Sequence, residues 1–600
     1  MPSASSHFFA FRRSLGWVLA ALAGFPFCAS AVKITAGPTF TLAPTAPLAG
    51  TLWVTTDVAS RVSVSVNDGQ GTWGRDFFDY GTVHSVPLYG FKPGRVNAIT
   101  VTVHDRARNQ FTATPPLAFV TAALPADFPV LKLLVSNPAQ MEPGYTVFIG
   151  ANNNTTVRYM MLVDNQGQVV WYSSSSSVPN LEEVRPWDNG NFFLPLSTNF
   201  AEINLLGQTV HSWGVPNGLK IDLHEGLPTP HGTILYLYDD TRTVAGFPTS
   251  STNPNAPKLA ASLQFNRVIE MSAVNGALLN NWSLIDMLDP LRISYLTFTS
   301  RTSLGWDCEH ANAIIEDPRD NSIIVSMRAQ NAIIKFSRAT GQLKWILGPP
   351  ANWGAAFQPY LLTPLGSPFV WFYAQHAPMI TPQGTLLIYD DGNFRASPFD
   401  TSVPDSANYS RAVEYAINEQ TMQVSQVWDY GRTDPGTLYT PSVGNADWLT
   451  NTGNILVTFG NTTYVNGLHP SPYATNAAMV RIKEVTHAQP AQVVFDLALF
   501  DYANTSSAYL GCYAYRSHRV SDLYAHPASP VTDLNVVDQA GAAHLEFSAD
   551  PARTYLIQVT TDLVHWISLA VPQPGPGGTY DFVDAASLTT PNRYYRVVTQ

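Results

Sequence analysis

Short runs of alternating apolar and polar residues recur along the chain between turns of Gly, Asn, Pro and Asp. A helical period is nearly absent, and the runs are rich in Val, Ile, Thr, Tyr and Phe, so the pattern predicts an all-β protein. Residues 32–125 contain the stretches RVSVSVND and NAITVTVHD, which read as strands of a small β-sandwich. LPADFP at 124–129 reads as a linker.

From 130 to 525 two elements alternate. One is a turn and a strand ending in an aromatic: Trp171, Trp213, Trp282, Trp345, Trp428 and, in weaker form, Phe495. The other is a hairpin with Gly190, Gly232, Asn321, Gly384 or Gly453 at its tip. Six copies of the aromatic element predict a six-bladed β-propeller. The spacing exceeds the roughly 40–50 residues of a typical blade, which puts the excess into loops where sites are usually built. The six aromatics read as core. Residues 529–600 alternate again and read as a small immunoglobulin-like β module.

Composition narrows the picture. Hydrophobic residues make up 45% of the 600 and charged residues 13%, which suits a packed β protein and excludes disorder. Arg12 and Arg13 followed by an apolar stretch over 14–27 and Ala29-Ser30-Ala31 read as a signal peptide over 1–31, cleaved after Ala31, giving a periplasmic or secreted chain. The apolar stretch is shorter than the about 20 residues that span a bilayer, and no later segment suffices, so no membrane span is expected in the mature chain. The formal net charge of −11 becomes more negative once the two arginines leave. An acidic chain without a basic run argues against nucleic acid and means that an anionic ligand must meet a local cluster of cations. Cys308 and Cys512 remain after cleavage, and the sequence leaves open whether they pair. A homodimer is possible.

Three histidines stand just ahead of blade hairpins: His224 in IDLHEGLPTPHG, His310 in WDCEHANAIIEDPRDN, and His376 in FYAQHAPMITPQG. Blade pseudo-symmetry places them at equivalent levels near a channel mouth, where three imidazoles can converge on one point. His211, His231, His469, His487, His518, His544 and His565 read as structural. Asp239-Asp240 and Asp390-Asp391 read as turn residues, the second pair also able to orient a site histidine. Phe372 and Tyr373 could stack on a phenol ring.

The second of these segments resembles the signature of bacterial arylsulfate sulfotransferases, matching at His310, Asn312 and Arg328. The first resembles that family's His-His-Asp element at His224, with departures at Leu223 and Glu225. The third matches at Gln375, His376, Gly392, Asn393 and Arg395, and YRSHRVSDLY at 515–524 resembles the end of the family's propeller. The likeness covers about 32–525 and leaves the tail module outside. It implies that His376 accepts the sulfuryl group, Arg328 and His224 hold its oxygens, a protonated His310 handles the phenolic proton, and Asn312 orients the group. It also implies a ping-pong exchange between a phenolic sulfate donor and an acceptor phenol, through a sulfohistidine, with no cofactor, metal or nucleotide donor. The chemistry agrees: sulfuryl transfer resembles phosphoryl transfer, where positioning and electrostatics dominate, and a guanidinium offers a fork of donors to the equatorial oxygens. The chain has no Gly-rich phosphate loop.

Two other readings compete. The three histidines could ligate a metal, against which a cation at Arg328 counts. Alternatively, the flanking β units could belong to a non-catalytic extracellular adhesion or binding protein.

Overall fold

The computed structural model describes residues 9–10 and 32–599, apart from 108, 153–156, 177–181, 188, 217, 435, 471–477, 501–510, 525–531, 540–541, 550–553, 562–565, 576–577 and 589–592. The leader read over 1–31, with its cleavage after Ala31, therefore lies outside the described residues except for Phe9–Ala10, as does His565. The protein is all-β: the helical turns among the described residues are short 3-10 segments. Among the described residues no helix is long and apolar enough to cross a membrane.

Two compact units emerge. One comprises Met1–Ala43, Leu48–Ala123 and Ala525–Gln600, the other Pro44–Pro47 and Leu124–Tyr524. In the first, the long antiparallel strands Ala49–Asn67 and Thr72–Tyr89 pair with each other, and the first of them also pairs with Ile34–Leu42 and Val96–Asp105. Val62, Val64 and Val66 point inward while Ser63 and Ser65 do not, as the alternation predicts. In its C-terminal stretch, Leu545, Phe547, Tyr555, Ile557 and Tyr595 from two small sheets share one core.

Among the described residues the second unit holds six sheets of four or more strands, most of them antiparallel runs of strands that neighbour one another in the chain, and a two-stranded ribbon of Leu438–Tyr439 with Tyr464–Val465. The leading strands of the six sheets are β1 (Arg185–Pro186), β2 (Gly226–Pro228), β3 (Ala311–Asp317), β4 (His376–Ile380), β5 (Gly444–Trp448) and β6 (Cys512–Val520). Each of β1 to β5 opens its own sheet. β6 arrives from the C-terminal end of the unit and pairs with Tyr145–Asn152, completing the sheet that began the unit. The strand Val130–Ser136, at the N-terminal end, pairs with Val493–Phe500 of the last sheet. The two ends of the unit are thus hydrogen-bonded into neighbouring sheets. The leading strands contact one another in the order β1–β6–β5–β4–β3–β2.

The two alternating sequence elements acquire separate positions. The Gly and Asn tips are turns between the first and second strands, with Gly190, Gly232, Asn321, Gly384 and Gly453 all at positive φ. The aromatics lie on the fourth strands. Trp171, Trp213, Trp345, Trp428 and Phe495 are buried, and Trp282 is half-buried. Four indoles donate to the last turn of the following sheet: Trp171 to the Leu205 carbonyl (2.6 Å), Trp213 to that of Ala273 (2.7 Å), Trp345 to the Glu419 carboxylate (3.1 Å), and Trp428 to the Ala488 carbonyl (3.1 Å). Trp282 packs against Gly341 in the matching turn. These repeated contacts satisfy each buried N–H and pin one sheet to the next. Cys308 and Cys512 are buried, and no disulfide joins them.

Candidate active site

The site stands at the N-terminal ends of β2, β3 and β4, because each histidine immediately precedes or begins the leading strand of its sheet. The pairing register shifts between Ala311 and Ala313 on β3 and between His376 and Met379 on β4. Such bulges re-aim side chains beside sites. The backbone is also bent against preference: φ is 48° at His310, 57° at Ala374 and 47° at Ala377, so Ala377 directly follows His376 and Ala374 lies two residues before it. Non-glycine residues rarely adopt this region, and such strain concentrates at functional sites.

Each imidazole is held by a carboxylate through Nδ1. Nδ1 of His376 is hydrogen-bonded to Asp391 (3.0 Å), that of His310 to Asp307 (2.6 Å) and that of His224 to Asp222 (2.5 Å). These bonds occupy Nδ1 and leave Nε2 as the atom available for chemistry. The rings of His224 and His310 lie 4.9 Å apart. The buried ring of Tyr515, on β6, stands edge-on to both His224 (5.8 Å) and His376 (6.2 Å). Arg328 follows the strand Ser322–Met327. It donates Nη2 to the Pro441 carbonyl (2.9 Å) and turns Nε toward Asp391 at 3.8 Å. Its backbone N–H bonds the His310 carbonyl (3.0 Å). Asn312 donates to the carbonyl of Gln375 (2.8 Å), the residue before His376. The structure thus brings His224, His310, Asn312, Arg328 and His376 together.

Several buried polar atoms here have no hydrogen-bond partner among the described residues: Arg328 Nε, Asn312 Oδ1, Gln375 Oε1 and Asp391 Oδ2, the first and last of them 3.8 Å apart.

The electrostatics separate the three rings. Burial drives His376 well below its ordinary pKa, and the charges of Arg328, His310, Arg516 and His224 push the same way. It is neutral at pH 7. His310 is also lowered: burial is the largest cause, Asp307 opposes it through its hydrogen bond and its charge, and His224 and Arg328 add smaller downward pushes. His224 goes the other way: burial opposes its charge, but Asp222, with Asp239 and Asp307, lifts it to about 9. The expected resting charge on His310 therefore belongs to His224. Burial raises Asp391 well above the carboxylate range, with Arg328 pulling against it.

Several expectations need correction. Glu225, the departure from the family element, does not orient His224. It bonds Arg185 (2.6 Å) and Arg516 (3.2 Å), while Asp222 on the other side of the histidine does the orienting. Asp239 and Asp240 lie within the strand Thr233–Pro248, not in a turn, bonded to Asn266 and Arg267. Phe372 is fully buried in a core cluster with Val413 and Tyr415 and offers no face to a substrate. His518, read as structural, is part of β6 and bonded to Asp447 (2.6 Å). The three site histidines do not gather closely enough to hold an ion. Among the described residues that spacing is met by His544, Glu546 and Asp581. Sequence reading missed Asp222, Asp307, Tyr515 and Arg516. The aspartates lie two or three residues before their histidines, a spacing that was available in the sequence.

Comparison with known proteins bears on the family. A family model described as arylsulfotransferase (ASST) matches residues 128–509. The arylsulfate sulfotransferase AssT of Escherichia coli O6:H1 is 24% identical over 339 residues, covering 47% of this chain and 54% of that protein. That of Lelliottia amnigena is 25% identical over 341 residues, with the same coverage. The chain spans about half the length of these curated relatives. Among solved structures, Synechocystis apocarotenoid oxygenase is 9% identical at a TM-score of 0.30, covering 77% of this chain and 97% of that one, a likeness that carries no argument. The match over 128–509 covers more than half of the sequence and contains every residue of the site except those on β6, and this chain belongs to the arylsulfotransferase family.

Proposed function

We propose that this protein is an exported aryl sulfotransferase that moves a sulfuryl group from a phenolic sulfate ester to an acceptor phenol through a sulfohistidine at His376, on a six-bladed propeller formed by Leu124–Tyr524. The propeller reading is supported by the six sheets, the repeated Trp contacts and the pairing of the unit's two ends. The observation that carries the chemistry is the set of three imidazoles, each tied at Nδ1 to a carboxylate, around one guanidinium.

His376 Nε2 attacks the ester sulfur. The N–S bond forms as the S–O bond to the donor phenol breaks, and Arg328 with protonated His224 faces the charge spread over the sulfuryl oxygens. The low pKa of His376 keeps its lone pair free at neutral pH. In the second half, His310 Nε2 takes the acceptor's proton as the new O–S bond forms and the N–S bond breaks. The negative ester favours protonation of His310 during the first half, so the departing phenolate can receive a proton there. No nucleotide enters this scheme.

Intact-mass measurement after treatment with a chromogenic phenyl sulfate tests it. Wild type gains one sulfuryl group and loses it on addition of phenol, and His376→Ala gains none. An unmodified wild-type mass during active turnover would overturn the covalent route.

A further inference from the structure

One buried charge near the site is unused by this chemistry. Arg516 lies on β6 within YRSHRVSDLY, and its side chain is 2% exposed. Nη1 bonds Glu183 (3.0 Å) and Glu225 (3.2 Å). Nη2 donates to the backbone carbonyl of Asn312 (2.7 Å) and lies 3.5 Å from the Tyr515 hydroxyl, which itself donates to that carbonyl (3.2 Å). The guanidinium sits 4.8 Å from the centre of the Tyr515 ring, whose edge contacts both His224 and His376. Arg185 supplies the second cation of this layer, through Glu225, whose other oxygen also accepts the Ile314 N–H on β3 (3.3 Å).

We propose that Arg516 is a positioning residue of the transfer site: delivered by the strand that closes the unit, it anchors Asn312 and Tyr515 and places a permanent positive charge near His376. Two independent features support this. The geometry ties β6 to β3 at the residue that touches Gln375, the immediate neighbour of His376. Electrostatically, Arg516 is among the charges that keep His376 unprotonated. The other groups facing His376 are Asp391, hydrogen-bonded to its Nδ1, and Arg328, His310 and His224, which oppose its protonation. A ligand anchored by Arg328 brings negative charge that would raise the pKa of His376, and Arg516, tied to its own carboxylates, offsets that rise. The inference rests on the nucleophilic role given to His376, and it implies that the site is complete only when β6 is docked.

The test compares wild type with Arg516→Lys and with the double variant Arg516→Met/Glu183→Gln, which leaves Glu225 paired with Arg185 and so guards against loss of fold. Two readouts are taken: titration of the His376 ring by NMR of labelled histidine, and the pH profile of kcat/KM with a phenyl sulfate. In the double variant the His376 titration moves upward by about one pH unit, and the acid limb of the profile moves with it. Arg516→Lys, which keeps the charge, stays near wild type in titration but loses kcat because the Asn312 carbonyl is no longer held by a planar fork. A folded double variant whose His376 titrates as in wild type would overturn the proposal. If the ring titration shifts but no variant, wild type included, transfers sulfuryl groups, the positioning of His376 stands and the sulfotransferase reading fails.

Discussion

The first and fourth strands of the six sheets come from equally regular repeats, yet they do opposite jobs. The fourth strand repeats one solution: an aromatic whose edge meets the last turn of the next sheet, at Trp171, Trp213, Trp282, Trp345 and Trp428. The first strand repeats a backbone and varies what it presents: an imidazole ahead of β2 and β3 and at the head of β4, Arg185 on β1, Asn445 on β5, Tyr515 and Arg516 on β6. Where every sheet needs the same contact, the residue recurs. Where the leading strands meet, the residue changes from sheet to sheet, three imidazoles beside arginine, asparagine and tyrosine, and the proposed chemistry falls on these departures from the repeat.

If that division is right, changes at the first strands should remove activity and spare stability, and changes at the fourth strands should do the reverse. The largest effect is expected from His376→Ala, with a loss on the order of 10⁴-fold or more in kcat and little change in melting temperature. Arg328→Lys keeps the charge but not the fork of donors, and a loss of about 10²–10³ in kcat/KM for the sulfate ester is expected. An activity near wild type would remove Arg328 from the transition state.

The next effect lies in pH. His224 is raised above its ordinary value, so it is charged below about 9 and loses its proton as pH rises through that value. Donor KM should therefore climb above pH 9. Asp222→Asn takes away the chief support for that charge, and the alkaline limb should move toward the ordinary histidine value of about 6.5. The same shift bears on stability: the folded state's gain from charging His224 is complete below about 6.5 and is lost as pH rises toward about 9. An alkaline limb indifferent to Asp222→Asn would assign it to another group. The smallest effect on catalysis, and the sharpest contrast, belongs to Trp171→Phe. It removes the indole N–H from the buried Leu205 carbonyl and should cost about 1–3 kcal/mol in chemical denaturation while leaving kcat/KM unchanged.

Much of this molecule was legible in the sequence because it is local. Alternation marks strands within a few residues, Gly and Asn mark the tight turns, and the aromatic element recurs along the chain, so the all-β class follows from the pattern alone. The three histidines, Asn312 and Arg328 were found because each sits in a recognisable short segment next to a hairpin. Tertiary structure decided what depends on distant partners. That Asp391 holds His376 from across the hairpin and that Arg516 reaches Asn312 from the far end of the unit are matters of convergence, which no spacing along the chain encodes. The ionisation of the three rings belongs to the same class. Burial and the summed field of neighbouring charges set it, so chemically identical imidazoles end with different proton affinities, and that field exists only once the sheets have closed around them.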